Sequence, residues 1–269
     1  MKPNNYIMES DNESLRLLLK TDPQIVQQQA EWAGLKSGMR VADLGCGPGI
    51  TTSVLHKITQ PGGYTAGVDF AKSRYQYALE HYQSEGIEFF CRDINDPLED
   101  LGLFDFIWVR FVLEYYRTNS FEIVKKIINS LKPGGILCLI DLDYNCLNHY
   151  GVPERLDRAV KQIIHEVEIK ANFDPFVGRK LYSYLYDLEF TDIVVDVSSH
   201  HNIYGSLNEK DKYNWMKKVE LAPRIINYQF DEYKNGYEEF IKEFRDSFSN
   251  PRRFTYTPLI ACRGIKPKK

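Results

Sequence analysis

Short apolar runs and amphipathic segments alternate over the first half of the chain. The apolar runs predict strands over 39–44, 64–69, 87–91, 104–109 and 136–141. Helical spacing of apolar positions, with cap residues at several ends, predicts helices over 11–20, 23–34, 48–58, 71–84 and 119–131. Strands that alternate with helices indicate βαβ units and a parallel sheet covered by helices on both faces.

The regular alternation stops after residue 141. Helices are predicted over 153–170, 178–188 and 206–250, and strands over 191–198 and 256–263. Ten aromatic side chains fall within residues 200–253, a higher share than the 13% of the whole chain. Half of them recur every three or four residues and predict the buried face of a helix, namely Tyr233, Tyr237, Phe240, Phe244 and Phe248. The better candidates for lining a pocket are Tyr204, Tyr213, Trp215 and Tyr228.

Composition and charge narrow the class of protein. The chain has 269 residues, of which 43% are hydrophobic, and a formal net charge of −3, which is typical of a globular enzyme and not of a nucleic-acid-binding protein. Neither a signal peptide nor an apolar run long enough to span a membrane is predicted. Five scattered cysteines without a C-x-x-C pair indicate reduced thiols and a cytoplasmic protein. We expect a monomer or a homodimer.

A glycine-rich turn joins the first predicted strand of the sheet to the helix that follows. The stretch VADLGCGPG places Asp43, Gly45, Gly47 and Gly49 at alternate positions. Glycines let the backbone turn tightly and approach a ligand, and the helix start behind them offers unpaired amides. The dinucleotide fingerprint G-x-G-x-x-G would require a glycine where Ile50 stands. This spacing disfavours a nicotinamide-dependent reductase, which we keep as an alternative.

Further motifs follow in order along the chain. Asp69 closes the second strand in GVDF, and Asp93 follows the third in CRDI. The segment FDFIWVR supplies the fourth strand, and LKPGG the turn before the fifth. With the glycine turn, these motifs make residues 39–142 resemble the class I S-adenosylmethionine-dependent methyltransferases of the small-molecule type.

The resemblance implies a Rossmann-like α/β fold with a seven-stranded, mostly parallel sheet of order 3-2-1-4-5-7-6. It also implies S-adenosylmethionine as the cofactor, with Asp69 accepting from the ribose hydroxyls, Phe70 packing on the adenine and Asp93 accepting from the adenine amino group. Arg16 would pair with the cofactor carboxylate, or else lie exposed beside Glu13 on the first helix. The predicted cofactor residues are Asp43, Gly45, Cys46, Gly47, Gly49, Asp69, Phe70, Asp93, Ile94, Arg110, Arg16 and Tyr6.

We expect the segments outside the cofactor-binding core to form a lid over an acceptor. We expect one methyltransferase domain over 1–269, with a helical cap at 1–35 and helical acceptor-lid insertions at 144–177 and 200–253. The aromatic content favours a small, apolar or aromatic organic acceptor. The D/N-P-P-Y/F motif of adenine and amide N-methyltransferases and the Pro-Cys of cytosine enzymes are absent from the sequence. A methyltransferase fold kept as a binding or scaffold protein without turnover is the second alternative.

Candidate catalytic groups follow the later strands, because ligands bind at the carboxyl ends of strands in open α/β sheets. We favour Glu114, Tyr144 and His149. His200 and His201 rank below His149, since adjacent side chains in an extended chain point apart.

A metal site is considered and not predicted. Asp141, Asp143 and His149 could in principle hold a divalent ion, as in the catechol-type methyltransferases. The aspartate that those enzymes carry at the fourth strand is replaced here by Arg110.

Overall fold

A single sheet with helices on both faces forms the fold, as described by a computed structural model over Met8 and residues 13–268. The strands within these residues are β1 Arg40–Leu44, β2 Tyr64–Asp69, β3 Ile87–Cys91, β4 Phe104–Arg110, β5 Leu131–Leu142, β6 His149–Tyr150, β7 Thr191–Ile203 and β8 Phe254–Ile265. The α-helices are α1 Glu13–Lys20, α2 Pro23–Ala33, α3 Ile50–Thr59, α4 Lys72–Tyr82, α5 Ser120–Ile127, α6 Glu154–Lys170, α7 Leu181–Asp187, α8 Glu209–Ile225 and α9 Tyr237–Ser249.

The long strands lie in the order β3-β2-β1-β4-β5-β8-β7. Strands β1 to β5 pair in parallel, and β8 runs antiparallel to both β5 and β7. The two-residue strand β6 extends the β5 edge of β8, because Thr255 pairs with His149 on that side and with Ile203 of β7 on the other. Apart from this additional short strand, the predicted order 3-2-1-4-5-7-6 is confirmed. The carboxyl ends of β1, β2, β4 and β5 therefore meet at one edge of the sheet.

The central strand β4 is buried on both faces. Ile107 and Val109 pack in one apolar cluster with α5 and α7, whereas Phe106 and Trp108 pack in a second cluster with α2 and α3. Burial of both faces is typical of a parallel strand, and it explains why this segment is nearly continuous in apolar residues.

The residues predicted to begin and end α2 do so in the structure. The Asp22 carboxylate accepts a hydrogen bond from the Gln24 amide at 2.9 Å, and Pro23 occupies the first turn. Gly34 ends the helix in the left-handed region, with φ of 95°. These local signals hold α2 in place behind β1.

Several predicted boundaries differ from the structure. Strand β7 extends to Ile203, so His200 and His201 belong to the sheet and not to a lid. The predicted helix over 206–250 is two helices, α8 and α9. The Lys-Pro-Gly-Gly segment is a bulge inside β5, because Leu131 pairs with Phe104 and Ile136 pairs with Phe106.

A third apolar cluster lies outside the sheet. It joins α6, α8 and α9 and contains Trp215, Phe230, Phe240, Phe244 and Phe248, all of them buried. Across the described residues, no helix combines the length and apolarity needed to cross a membrane.

Candidate active site

The loop after β1 needs glycine for steric reasons. Gly45 has a φ of 79°, and a Cβ built there would lie 2.2 Å from Cγ2 of Val112. At Gly49, with φ of 93°, a Cβ would lie 2.9 Å from Cβ of Ala78. Gly49 also begins α3 without any side-chain cap, so the first amides of that helix remain available to a ligand.

Asp69 at the end of β2 holds this loop in place. Its Oδ2 accepts a hydrogen bond from the Gly47 amide at 2.9 Å. Its Oδ1 accepts from the Ala71 amide at 2.9 Å and from Nε of Arg74 at 3.1 Å. A carboxylate accepts about four hydrogen bonds, so these three leave acceptor capacity for a ligand hydroxyl.

Asp43 at the end of β1 contacts the following helix. Its Oδ2 accepts a hydrogen bond from Oγ1 of Thr52 at 2.7 Å. Burial raises the pKa of Asp43 to about 7, against the lowering effects of Thr52 and of the Arg110 charge. Asp43 therefore fixes the loop to α3 and does not line the cleft described next.

A cleft opens above the glycine loop, at the carboxyl ends of β1, β2 and β4. It encloses about 980 Å³ of empty space, counting the part that is open to solvent. Seven of the predicted cofactor residues line it, namely Gly45, Cys46, Gly47, Asp69, Phe70, Ile94 and Arg110. Asp93 is turned instead toward Asn95, whose amide and side-chain Nδ2 both donate to its Oδ1 at 2.8 Å.

Two basic side chains, Arg110 and Lys20, line this cleft around the Phe111 ring. The Arg110 guanidinium lies 4.1 Å from the centre of the Phe111 ring, and its Nε donates to Oε1 of Gln29 at 3.1 Å. The Nζ of Lys20 lies 4.4 Å from the centre of the same ring. Burial lowers the pKa of Arg110 to about 10, which still leaves it charged at neutral pH.

A second cavity adjoins the cleft and is mostly apolar. It encloses about 750 Å³ of empty space, counting the part open to solvent, and α6, α8 and α9 supply its walls. Trp215, Phe240 and Phe244 line it together with aliphatic residues of α6. Lys20 and Tyr115 line both the cleft and this cavity, so the two spaces meet at these side chains.

Polar groups gather at one side of the second cavity. Glu114 is buried, and its Oε2 accepts a hydrogen bond from Nδ2 of Asn145 at 2.7 Å. Nζ of Lys218 lies 3.4 Å from Sγ of Cys146 and 4.8 Å from the centre of the Trp215 ring. The apolar chamber therefore ends in a small charged patch.

Of the three predicted catalytic residues, only Glu114 lines either space. His149 has both ring nitrogens engaged, Nδ1 with Oγ1 of Thr255 at 2.9 Å and Nε2 with the Cys146 carbonyl at 3.1 Å. Its ring meets Trp215 edge-on, and burial lowers its pKa to about 4. Tyr144 is 43% exposed and packs against Phe176. The structure thus places His149 and Tyr144 away from both spaces.

The predicted N-terminal cofactor residues are placed differently from the expectation. Arg16 is buried and forms a two-point ion pair with Glu13, from Nε to Oε2 at 2.7 Å and from Nη2 to Oε1 at 2.6 Å. It lines the second cavity and not the cleft. Tyr6 lies outside the described residues.

The aromatic residues within 200–253 differ in their exposure and in whether they line the cavity, and sequence spacing does not predict that difference. Trp215 lines the second cavity as predicted, whereas Tyr204 is 67% exposed. Phe240 and Phe244 belong both to the predicted buried face and to the cavity wall. The recurrence of aromatic residues every three or four positions predicts burial. It does not predict whether a buried ring packs against other side chains or lines a cavity.

The three candidate metal ligands do not form a cluster. Asp143 accepts two hydrogen bonds from Arg179, at 2.8 and 3.0 Å, and His149 is held as described above. Within residues 13–268 and Met8, no group of three or more His, Cys, Asp or Glu side chains is arranged to hold a metal ion.

The cleft fits S-adenosylmethionine in its chemistry. The glycine loop brings bare backbone and an uncapped helix start to one wall, and Asp69 retains acceptor capacity for hydroxyls. Phe70 and Ile94 line the same cleft and give it apolar surface that suits a purine.

Comparison with known proteins agrees with this chemistry. A family model described as "Methyltransferase domain" matches residues 35–217, more than half of the chain. Ubiquinone biosynthesis O-methyltransferase of Bordetella avium (strain 197N) is 29% identical over 120 residues, which cover 43% of this chain and 47% of that protein. The chain spans about a third to a half of the length of the curated relatives it matches.

Solved structures share the architecture over nearly the whole chain. A cyclopropane-fatty-acyl-phospholipid synthase-like protein from Lactobacillus casei ATCC 334 has a TM-score of 0.60 at 14% identity, covering 97% of this chain and 98% of that chain. Coclaurine N-methyltransferase bound to N-methylheliamine and SAH has a TM-score of 0.54 at 18% identity, covering 90% and 72%. At these identities the likeness shows the fold. The family match, the sheet order and the glycine-loop cleft together show that this protein belongs to the class I S-adenosylmethionine-dependent methyltransferases.

Proposed function

We propose that this protein transfers a methyl group from S-adenosylmethionine to a small organic acceptor with a mainly apolar body. The observation that carries the proposal is the junction of two spaces at Lys20 and Tyr115, one lined by the glycine loop and one by apolar helices. A donor in the first and an acceptor in the second would meet there.

The cleft residues would hold the cofactor. Asp69 would accept from its hydroxyls, Phe70 would pack on its purine, and the Gly47 backbone would pass beneath it. When bound, S-adenosylmethionine supplies a methyl group on a sulfonium sulfur, and transfer leaves S-adenosylhomocysteine (SAH).

The helices of the two insertions would act as the acceptor lid. α6 lies within 144–177, and α8 and α9 lie within 200–253, and all three line the second cavity. Their apolar side chains would exclude water and orient the acceptor. Holding two reactants in a near-attack arrangement supplies much of the rate enhancement in such a displacement.

Cofactor binding is the first test. Calorimetry with SAH is expected to show saturable binding to the wild-type protein and a large loss in Asp69→Ala. The matched control is Asp246→Ala, since Asp246 forms an exposed ion pair with Lys242 on α9 and neither residue lines the cleft. Absence of saturable SAH binding, or equal binding by Asp69→Ala, would refute the proposed cofactor site. Addition of NADH, followed by its fluorescence, is expected to give no binding signal.

Turnover is the second test. Formation of SAH from S-adenosylmethionine is measured with a panel of phenols, amines and enolisable acids. We expect turnover with at least one panel class that has an apolar body. Tight SAH binding without turnover on any panel member would support a scaffold protein instead.

A further inference from the structure

Lys20 stands where the cofactor cleft meets the apolar cavity. It is the last residue of α1, and it is one of two side chains among the described residues that line both spaces. Its Nζ lies over the Phe111 ring and has no hydrogen-bond or ion-pair partner within residues 13–268. An amine without a partner at the meeting point of donor and acceptor is free to contact the acceptor.

The charges around Lys20 come from several elements. Arg16 on α1, Lys218 on α8 and Arg110 at the end of β4 all disfavour its charged form, whereas Glu114 favours it. Loss of hydration has the largest effect, and with the three cations it lowers the pKa of Lys20 to about 7. A large share of the side chain is therefore a neutral amine near neutral pH.

Three further titratable groups face this site and do not cancel that effect. Lys20 interacts electrostatically with Asp141, His200 and His201. Burial raises the pKa of Asp141, which favours its neutral acid, and lowers the pKa of both histidines, which favours their neutral rings. The Asp141 carboxyl is also held in place, since its Oδ2 accepts from the Glu114 amide at 3.2 Å.

The charge of the cavity also restricts the acceptor. Arg16, Lys20 and Lys218 line the apolar cavity together with the Glu114 carboxylate, and Arg16 is already paired with Glu13. Once Lys20 has taken up a proton, its ammonium and that of Lys218 stabilise a group that becomes negative as it reacts. A hydroxyl on an apolar body suits both the walls and the charge.

We propose that Lys20 is the proton acceptor for a weakly acidic hydroxyl, of the phenol or enol type, on an apolar acceptor. This inference rests on the proposed methyl transfer. The acceptor O–H bond breaks and its electron pair forms the new O–CH3 bond, while the S–CH3 bond of the bound donor would break and leave its electron pair on the sulfur of SAH. The acceptor proton bonds to the neutral Nζ of Lys20. The resulting ammonium returns the proton to water. Lys218, at the same side of the cavity, stabilises the developing oxygen anion.

The first experiment reads the ionisation of a bound phenol without any turnover. 4-Nitrophenol is added to the SAH complex, and the fraction of phenolate is followed by its visible absorbance as the pH is varied. In wild type we expect bound 4-nitrophenol to ionise about one pH unit lower than in solution. We expect Lys20→Met to lose most of that shift and Lys20→Arg to retain it, because Arg keeps the cation.

The second experiment separates a proton acceptor from a simple cation. With 2-naphthol, which is neutral at about pH 8, Lys20→Met and Lys20→Arg should each lower kcat about a hundredfold or more, since Arg cannot accept a proton. With 4-nitrophenol, largely ionised at that pH, Lys20→Arg should stay within a few fold of wild type. Lys242→Met is the matched control, because Lys242 is an exposed lysine of α9 that pairs with Asp246.

Several results would overturn the role of Lys20. The first is that 4-nitrophenol shows no saturable binding. The second is that the pH at which bound 4-nitrophenol ionises shifts equally in wild type and in Lys20→Met. The third is that Lys20→Arg keeps full activity on 2-naphthol. Loss in Glu114→Gln but not in Lys20→Met would assign the proton to Glu114 instead. Failure of SAH to bind would refute the proposed function itself, whereas intact SAH binding with any of the other results refutes only the inference. Circular dichroism melting curves check that the Lys20 variants fold.

Discussion

Substitution of Gly45 offers a quantitative test of the cofactor loop, because the chain contains a matched glycine. Gly45 and Gly38 have φ values of 79° and 80°, so alanine at either position adopts the same unfavourable region. That costs about 1–2 kcal/mol. A Cβ at Gly38 meets nothing within 4 Å, whereas one at Gly45 lies 2.2 Å from Cγ2 of Val112. Only Gly45→Ala therefore adds an overpacking cost of about 1–3 kcal/mol.

We expect Gly45→Ala to lose about 2–5 kcal/mol of unfolding free energy and Gly38→Ala about 1–2 kcal/mol. Urea denaturation followed by circular dichroism measures both values. Calorimetry with SAH should show weaker binding for Gly45→Ala alone, since Gly45 lines the cleft and Gly38 does not. Equal stability and equal SAH affinity of the two variants would refute the steric explanation of this loop.

The partner atom can be tested by a double-mutant cycle. Val112→Ala removes the Cγ atoms, which leaves Cβ of Val112 at 3.4 Å from the Cβ of an alanine at position 45. The double variant Gly45→Ala/Val112→Ala should then be less destabilised than the sum of the single variants by about 1–3 kcal/mol. Strict additivity would mean that the loop, and not Val112, moves to accept the new methyl group.

The remaining predictions concern affinity, packing and pH. Asp69→Asn should weaken SAH binding about tenfold to a hundredfold by calorimetry, as expected for a lost charged hydrogen bond, and Asp246→Asn, in an exposed ion pair of α9, should leave it unchanged. Phe240→Ala should lower the free energy of unfolding in urea by about 3–5 kcal/mol, because Phe240 is fully buried against the cavity. Phe254→Ala should lower it far less, because Phe254 is 41% exposed. Similar losses in the two variants would contradict the described cavity wall. His149, with its pKa lowered from 6.5 to about 4, binds fewer protons folded than unfolded between these values. The stability of wild type relative to His149→Gln should therefore fall as the pH is lowered through that range, and a constant difference would show that His149 does not titrate so low.

Several residues that line the glycine-loop cleft could be predicted from the sequence, because their signals are local. The ends of β2 and β3 coincide with the predicted ranges, since each is a short apolar run that stops at a polar residue. The glycine spacing after β1 predicts a loop that only glycine can form. The structure gives the cause at Gly45 and Gly49, where φ is positive and a Cβ would contact a neighbouring side chain too closely. Asp69 follows from its place at a strand end, without any knowledge of distant residues.

The walls of the second cavity could not be predicted, because they come from separate segments of the chain. Lys20 ends α1, Trp215 lies on α8 and Phe240 lies on α9. All three line the second cavity, and no local sequence pattern predicts that they meet there. The sequence predicts His149 as a catalytic residue because it is a histidine that follows a strand. Its Nδ1 instead contacts Thr255 of β8, 106 residues further along the chain, and its Nε2 contacts the carbonyl of Cys146. The first of these contacts depends on the placement of β8, which no local pattern predicts.

The charges at the cavity explain why α1 matters to the site. Burying a cation costs free energy unless it is paired, and Arg16 meets that cost through its two-point contact with Glu13. Lys20, one turn further on, has no such partner among the described residues, and its burial lowers its pKa. A side chain whose free amine is favoured by the fold is a better proton acceptor than one held charged by a neighbouring carboxylate. On one helix, therefore, Arg16 is held by an ion pair, and Lys20 is the side chain that we propose as the proton acceptor.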